Sequence, residues 1–151
     1  MRSLPPSQQR LRNLDTFARC TDEELAFIDG RMILHRARAG EVLTKEGQSG
    51  RELVVIADGT AVVLVGMRAV ARLGPGDVVG EMALLDHGPR SATVVAESDV
   101  EAFVSSGEEF AQILLGAPTI ARALAESLAR RLRSTNELLA GAGRSAKSRI
   151  G

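Results

Sequence analysis

Residues 80–94 of this chain combine the features of an anion-binding turn. Gly80 has no side chain, so its backbone can approach a ligand closely or adopt a positive φ. Glu81–Leu85 consists of good helix formers but is long enough for only about one turn. The first N–H groups of such a turn have no partner within the helix, and a helix N-terminus attracts anions. The stretch therefore predicts a site for a negatively charged group.

The second half of the stretch supplies side chains of matching chemistry. Pro89 ends the short helix and presents Arg90, whose guanidinium can hold two phosphate oxygens at once. Ser91 adds a hydroxyl donor, and Ala92 leaves room for a ligand. The acidic Glu81 beside an anion site is explained if the ligand also offers a hydroxyl group to its carboxylate. A phosphate together with a sugar hydroxyl indicates a nucleotide.

The pattern Gly-Glu-x-Ala-Leu, a short loop, then Pro-Arg-x-Ala-Thr-Val resembles the phosphate-binding cassette of cyclic-nucleotide-binding domains. Such domains occur in the catabolite activator protein family, in protein kinase A regulatory subunits and in cyclic-nucleotide-gated channels. The matching residues are Gly80, Glu81, Ala83, Leu84, Pro89, Arg90, Ala92, Thr93 and Val94. Further glycine-centred motifs, from Ala39-Gly-Glu to Gly74-Pro-Gly-Asp, extend the resemblance to about residues 11–139.

The resemblance implies a role for each cassette residue. Backbone amides of Gly80, Met82 and Ala83 would bind the cyclic phosphate. Arg90 would neutralise its charge, with Ser91 as a second donor, and Glu81 would accept a hydrogen bond from the ribose 2′-hydroxyl. Cyclic AMP is favoured over cyclic GMP, because Ser91 follows the arginine where cyclic-GMP-selective kinases carry threonine.

Two further groups of residues are implied to surround the base. By the same resemblance the base lies against three apolar strand residues, Val63, Val70 and Leu73. Thr135 and Asn136 of a long C-terminal helix would reach the adenine edge, and Arg131 would pair with Glu81 across the pocket mouth. The helix would then cover the base as a lid.

Short apolar runs separated by glycine turns dominate the middle of the chain, and they predict strands. The predicted strands cover residues 32–37, 41–45, 52–57, 60–65, 69–73, 78–79, 92–96 and 99–104. Asp58-Gly59, between two apolar runs, is the strongest hairpin signal. We therefore expect an α+β, mainly β fold, an eight-stranded antiparallel jelly roll flanked by N-terminal helices and a long C-terminal helix.

The expected domain organisation is a single nucleotide-binding domain over residues 10–140 with a short segment at each end. Its parts are N-terminal helices over 10–30, a β-roll over 32–104 and C-terminal helices over 106–140. Residues 1–9 are predicted as a flexible lead-in and residues 141–151 as a disordered basic tail.

Helix signals are clearest at two positions. Thr21 to Glu24 forms a capping box, and Pro118 suits the first position of a long helix. That helix, over residues 118–140, carries a stripe at three- and four-residue steps, formed by Ala121, Leu124, Leu128, Leu132, Thr135 and Leu139. Its apolar stripe predicts a lid or the seam of a homodimer.

Composition excludes several other classes. Nineteen basic and nineteen acidic residues cancel, so no overall field attracts nucleic acid or a membrane. The single Cys20 and the absence of a long apolar run fit a cytoplasmic protein, and the excess of arginine over lysine suggests a bacterial source. A cupin-type metalloenzyme needs several converging ligands, but only His35 and His87 are present. We therefore expect no catalysis, no metal and no cofactor.

Three alternatives differ in what the chain does with the nucleotide. It resembles a sensor domain without the helix-turn-helix module, so direct DNA binding is not expected. It is either a stand-alone sensor or a fragment of a longer transcription factor or transporter. The third alternative is a protein-interaction domain that has lost nucleotide binding. The sequence does not identify an effector protein.

Overall fold

The structure, a computed structural model, describes residues 3–47, 52–79, 92–126, 129–130 and 133. Its eight strands form two four-stranded antiparallel sheets. The strands are β1 (Ile33–Ala37), β2 (Val42–Thr44), β3 (Leu53–Asp58), β4 (Ala61–Val65), β5 (Arg68–Leu73), β6 (Val78–Val79), β7 (Thr93–Ala96) and β8 (Val100–Ser105). Sheet A has the order β1-β8-β3-β6, and sheet B has the order β2-β7-β4-β5. The jelly roll and all eight predicted strands are confirmed.

The turn at Asp58-Gly59 connects the two sheets instead of closing a hairpin. Strand β3 pairs with β6 and β8, whereas β4 pairs with β5 and β7. The predicted hairpin is therefore wrong, although the turn itself is present and Gly59 has φ 88°. A Cβ atom at Gly59 would overlap the carbonyl oxygen of Asp99, in the neighbouring connection from β7 to β8. Glycine is required there because two connections between the sheets lie side by side.

Two clusters of buried side chains form the core. The inner cluster lies between the sheets and includes Ile56, Ala61, Val94 and Ala102. The outer cluster joins the opposite face of sheet A, through residues such as Val55, to the helices. Strand β3 of sheet A is consequently buried on both faces, which explains why Leu53–Ile56 are buried without interruption.

The first of the N-terminal helices begins earlier than the sequence predicts. Helix α1 (Pro6–Arg12) lies partly inside the predicted lead-in of residues 1–9, so that boundary is corrected to Pro6. Proline is favoured at a first helical position because its missing N–H has no partner to lose there. A single 3₁₀ turn (Asp15–Phe17) follows. Helix α2 (Asp22–Asp29) begins at the predicted capping box, in which both reciprocal hydrogen bonds are formed.

After the strands, helix α3 (Gly107–Gly116) is capped by the Ser106 hydroxyl. Its last residue packs so closely on α2 that a Cβ atom at Gly116 would overlap the Phe27 ring. A fourth helix, α4, begins at residue 118 as predicted, and its described helical residues are 118–126, 129–130 and 133. Its buried residues Ile120 and Leu124 belong to the outer cluster.

Candidate functional site

The predicted cassette connects the two sheets at one end of the roll. Strand β6 ends at Val79, which pairs with Val54 near the start of β3. Strand β7 begins at Thr93 in sheet B, and Val94 pairs with both β2 and β4. The predicted cassette therefore begins directly after a strand of sheet A and ends in a strand of sheet B.

Most of the predicted ligand-binding residues lie outside the described part of the chain. For the phosphate and ribose these are Gly80, Glu81, Met82, Ala83, Arg90 and Ser91. The predicted helix residues Arg131, Thr135 and Asn136 also lie outside it, as does His87. Ala92 and the three predicted base contacts are described.

Ala92 begins a hydrogen-bonded support at the end of the cassette. The Ala92 carbonyl accepts a hydrogen bond from Thr44 Oγ1 at 3.4 Å. Thr93 Oγ1 accepts one from the Glu46 amide at 3.0 Å, and the Glu46 carboxylate in turn accepts one from the Gly66 amide at 3.0 Å. These bonds tie the cassette's exit to the end of β2 and to the β4–β5 turn. Sequence reasoning missed this support because its members are far apart along the chain.

The predicted base contacts occupy neighbouring strands of sheet B. Val63 and Leu73 are partly buried and pack against the inner cluster. Val63 is paired with Val94, the last residue of the cassette, and Leu73 is paired with Ala61. Val70 lies where the β4–β5 register shifts and is 55% exposed. In sheet B, Val63 and Leu73 thus pack toward the inner cluster, and Val70 is more open to solvent.

Two clefts lined by described residues lie elsewhere. One, of about 490 Å³, lies between the 3₁₀ turn, the β5–β6 connection and α4. The other, of about 460 Å³, lies between the edge strands β1 and β2 and includes His35. His35 is exposed on β1. Within the described ranges, no group of three or more His, Cys, Asp or Glu side chains is arranged to hold a metal ion.

Cys20 is a packing residue in the outer cluster, with 3% of its surface exposed. Burial, and after it the nearby Glu24 carboxylate, raise the pKa of its thiol to about 11, while the Arg12 guanidinium opposes the shift. The thiol is therefore protonated at neutral pH, which makes it a poor nucleophile.

The described helices are also too short or too polar to span a bilayer: none of them contains an apolar stretch of the required length.

Comparison with known proteins identifies the family. A family model described as "Cyclic nucleotide-binding domain" matches residues 34–116, which include the whole predicted cassette. The structure is similar to the crystal structure of the Thermus thermophilus catabolite activator protein. The two share 32% sequence identity with a TM-score of 0.74, over 82% of this chain and 61% of the other.

Curated relatives include both bacterial and eukaryotic proteins. The cyclic AMP receptor protein of Thermus thermophilus is 38% identical over 102 residues, covering 64% of this chain and 47% of the relative. The cGMP-dependent protein kinase of Toxoplasma gondii is 33% identical over 115 residues, covering 76% of this chain and 12% of the kinase. The match therefore spans less than half the length of either curated relative. From the family model, the fold and these similarities together, the chain belongs to the cyclic nucleotide-binding domain family.

Proposed function

We propose that this chain is a sensor domain that binds a cyclic nucleotide, with cyclic AMP preferred over cyclic GMP. The observation that carries the proposal is the family match over residues 34–116, which includes every cassette position of the motif. The Thermus relative is named as a cyclic AMP receptor protein, which supports cyclic AMP. The Toxoplasma relative is named for cyclic GMP, so the choice between the nucleotides depends on this chain's own residues.

The phosphate is bound by the cassette. In this proposal the amides of Gly80, Met82 and Ala83 donate to its oxygens, while Arg90 neutralises the single negative charge and Ser91 adds a donor. Charge-assisted hydrogen bonds of this kind are about twice as strong as neutral ones. The support around Ala92 favours this role, because it fixes the cassette's exit to strands that are themselves paired within sheet B.

The ribose and base are bound beside the phosphate. Glu81 accepts from the 2′-hydroxyl, which discriminates against 2′-deoxy nucleotides because the carboxylate would lose its partner. The base rests on Val63, Val70 and Leu73, which exclude water but offer few hydrogen bonds. Thr135 and Asn136 provide the polar contacts to the base edge, and Arg131 pairs with Glu81 at the pocket mouth.

The ligand acts by shifting a conformational equilibrium and undergoes no chemistry. Binding energy can shift α4 only if the nucleotide contacts α4 differently in the two states. Contacts from Arg131, Thr135 and Asn136 would supply that difference. The helix 118–140 then reports the bound state to an effector or to a second copy of the chain across its apolar stripe. We place this sensor in the cytoplasm, where a lone reduced cysteine is expected.

The Glu81 contact gives a specific test of the proposal. Glu81→Ala should weaken cyclic AMP binding more than it weakens 2′-deoxy-cyclic AMP binding, because only the former loses a hydroxyl–carboxylate bond. Calorimetric titration of both proteins with both nucleotides, and of the wild type with cyclic GMP, measures this difference. Equal losses of affinity for the two nucleotides would show that Glu81 does not bind the 2′-hydroxyl. Absence of binding by the wild type would instead support the alternative of a protein-interaction domain.

A further inference from the structure

One carboxylate joins the N-termini of two helices that are distant in the sequence. Glu24 Oε1 accepts hydrogen bonds from the Thr21 amide at 3.0 Å and from Thr119 Oγ1 at 2.8 Å. Its other oxygen, Oε2, accepts from the Thr119 amide at 3.1 Å. The Thr21 hydroxyl returns a bond by accepting from the Glu24 amide at 3.1 Å. Glu24 therefore closes the capping box of α2 and binds the first turn of α4 at the same time.

The first turn of α4 needs such a partner. The first amide groups of a helix have no acceptor within the helix, and Thr119 is the second residue of α4. The preceding Ala117 interrupts the helical backbone with φ −134° and ψ 74°, and it is fully buried. The chain thus changes direction at Ala117, and two residues later Thr119 donates hydrogen bonds to Glu24. A negative charge near a helix N-terminus adds to the stability of this contact.

The other contacts described here for α4 constrain its orientation less than the hydrogen bonds to Glu24 do. Ile120 and Leu124 are buried in the outer cluster with residues of the N-terminal helices. Arg19 contacts Glu126 at 3.3 Å, but the Arg19 side chain is 74% exposed, and exposed ion pairs contribute little. Apolar packing permits small rotations of a helix, whereas hydrogen bonds to both the amide and the hydroxyl of Thr119 define its orientation. Glu24 therefore fixes the direction of the first turn of α4.

We propose that Glu24 is a positioning residue for the nucleotide site, which it affects by fixing the start of α4. This inference rests on the proposed function, in which α4 covers the bound base. A lid whose base is already fixed loses less conformational freedom when it closes, so nucleotide affinity is higher. Without the Glu24 contact, α4 samples more orientations, and only a fraction of them can contact the ligand.

The test compares Glu24→Gln with Glu23→Gln. Glu23 is exposed in the same first turn of α2, so its substitution removes the same charge without touching α4. A glutamine at position 24 replaces one acceptor oxygen by an NH₂ group, so it cannot accept from both Thr119 donors and the Thr21 amide as the carboxylate does. We expect Glu24→Gln to weaken cyclic AMP binding by three- to tenfold in calorimetry. Glu23→Gln should stay within twofold of the wild type.

A second readout separates positioning from general stability. Amide hydrogen exchange of Thr119, measured by NMR on the full chain, should accelerate in Glu24→Gln and stay unchanged in Glu23→Gln. Thr119→Val removes only the hydroxyl donor and should give an intermediate loss of affinity, while Thr119→Ser should restore the wild-type value. These threonine variants retain the capping box of α2, so they test the positioning role even if Glu24→Gln does not fold.

The outcomes distinguish this inference from the proposed function. Equal affinities of Glu24→Gln and Glu23→Gln, with a wild type that binds cyclic AMP, would overturn the positioning role and leave the proposed function intact. A wild type that binds neither cyclic nucleotide would refute the proposed function and, with it, a role for Glu24 in affinity. Equal Thr119 exchange in the wild type and Glu24→Gln would show that Glu24 does not fix α4.

Discussion

The two sheets of the roll have the same number of strands but opposite environments. In sheet A, strand β3 has four consecutive buried residues, because helices cover one face and sheet B covers the other. In sheet B, strand β5 is exposed over five of its six residues. The apolar side chains of β3 are therefore committed to the core. Those at the inner edge of sheet B remain available to a ligand, which is where the base is proposed to bind.

A substitution in the connection between β3 and β4, which joins the two sheets, should cause the largest loss of stability. Gly59→Ala should lower the free energy of unfolding by roughly 2–5 kcal/mol, because it combines a positive φ with overlap against the Asp99 carbonyl. Gly66 also has a positive φ, but a Cβ atom there meets nothing within 4 Å. Gly66→Ala, within sheet B, should therefore cost only about 1–2 kcal/mol. Urea unfolding of both variants measures the difference, and equal losses would mean that the crossing is not tightly packed.

The same valine-to-alanine substitution, made once in each sheet, separates an effect on stability from an effect on nucleotide binding. Val55 on β3 is fully buried, whereas Val70 on β5 is 55% exposed. Val55→Ala should cost about 2 kcal/mol of unfolding free energy and leave cyclic AMP affinity unchanged. Val70→Ala should change stability by less than about 0.5 kcal/mol and weaken cyclic AMP binding. Urea unfolding and calorimetry on both variants test this; the reverse assignment would contradict the division of roles between the sheets.

The smallest expected effect is a pH dependence in the helical layer that covers sheet A. Partial burial of Glu24 raises its pKa, but hydrogen bonds from Thr21 and Thr119 outweigh this, so its pKa is lowered from the ordinary value of 4.5. A lowered pKa in the folded state means that the contact stabilises fully above the ordinary value and is lost as pH falls through the folded pKa. The Cys20 thiol is a titratable group close to Glu24, and Arg12, which is paired with Asp22, lies close to that thiol.

Unfolding of the wild type and Glu24→Gln between pH 7 and pH 3 measures this effect. The stability difference between the two proteins should be constant at neutral pH and shrink below pH 4.5. A difference that grows on acidification would contradict the hydrogen-bonded carboxylate.

The number and positions of the strands could be predicted because glycine, proline and aspartate separate the apolar runs. Which strands pair could not be read in the same way. Asp58-Gly59 has the residues of a hairpin turn, yet β3 and β4 belong to different sheets. The turn code specifies a local reversal of the chain but not the partner strand. The partner is decided by burial of β3 on both faces, which depends on helices from both ends of the sequence.

Contacts between residues that are distant in the sequence could not be predicted either, because local sequence patterns do not specify the partner. Helix α1 begins in a polar segment, in which the side chains of Ser7 and Gln8 donate hydrogen bonds to Asp29. The sequence of residues 1–9 does not indicate that partner. Glu24 was predicted as part of a capping box, but its bonds to Thr119 span 95 residues. The cassette was found because its residues are contiguous and their spacing is specific. The roles of Gly80, Glu81, Arg90 and the base contacts stay predictions.

The most direct test of cyclic nucleotide binding is calorimetric titration of cyclic AMP into the wild type, Arg90→Ala and Arg38→Ala. Arg38 is exposed at the opposite end of the roll from the cassette, so its substitution controls for loss of a positive charge. A charge-assisted phosphate contact is worth about 1.5–3 kcal/mol. Arg90→Ala should therefore bind at least tenfold more weakly than the wild type, with the fold unchanged, and Arg38→Ala should bind normally. Wild-type affinity in a folded Arg90→Ala protein would contradict the cassette as the site of nucleotide binding.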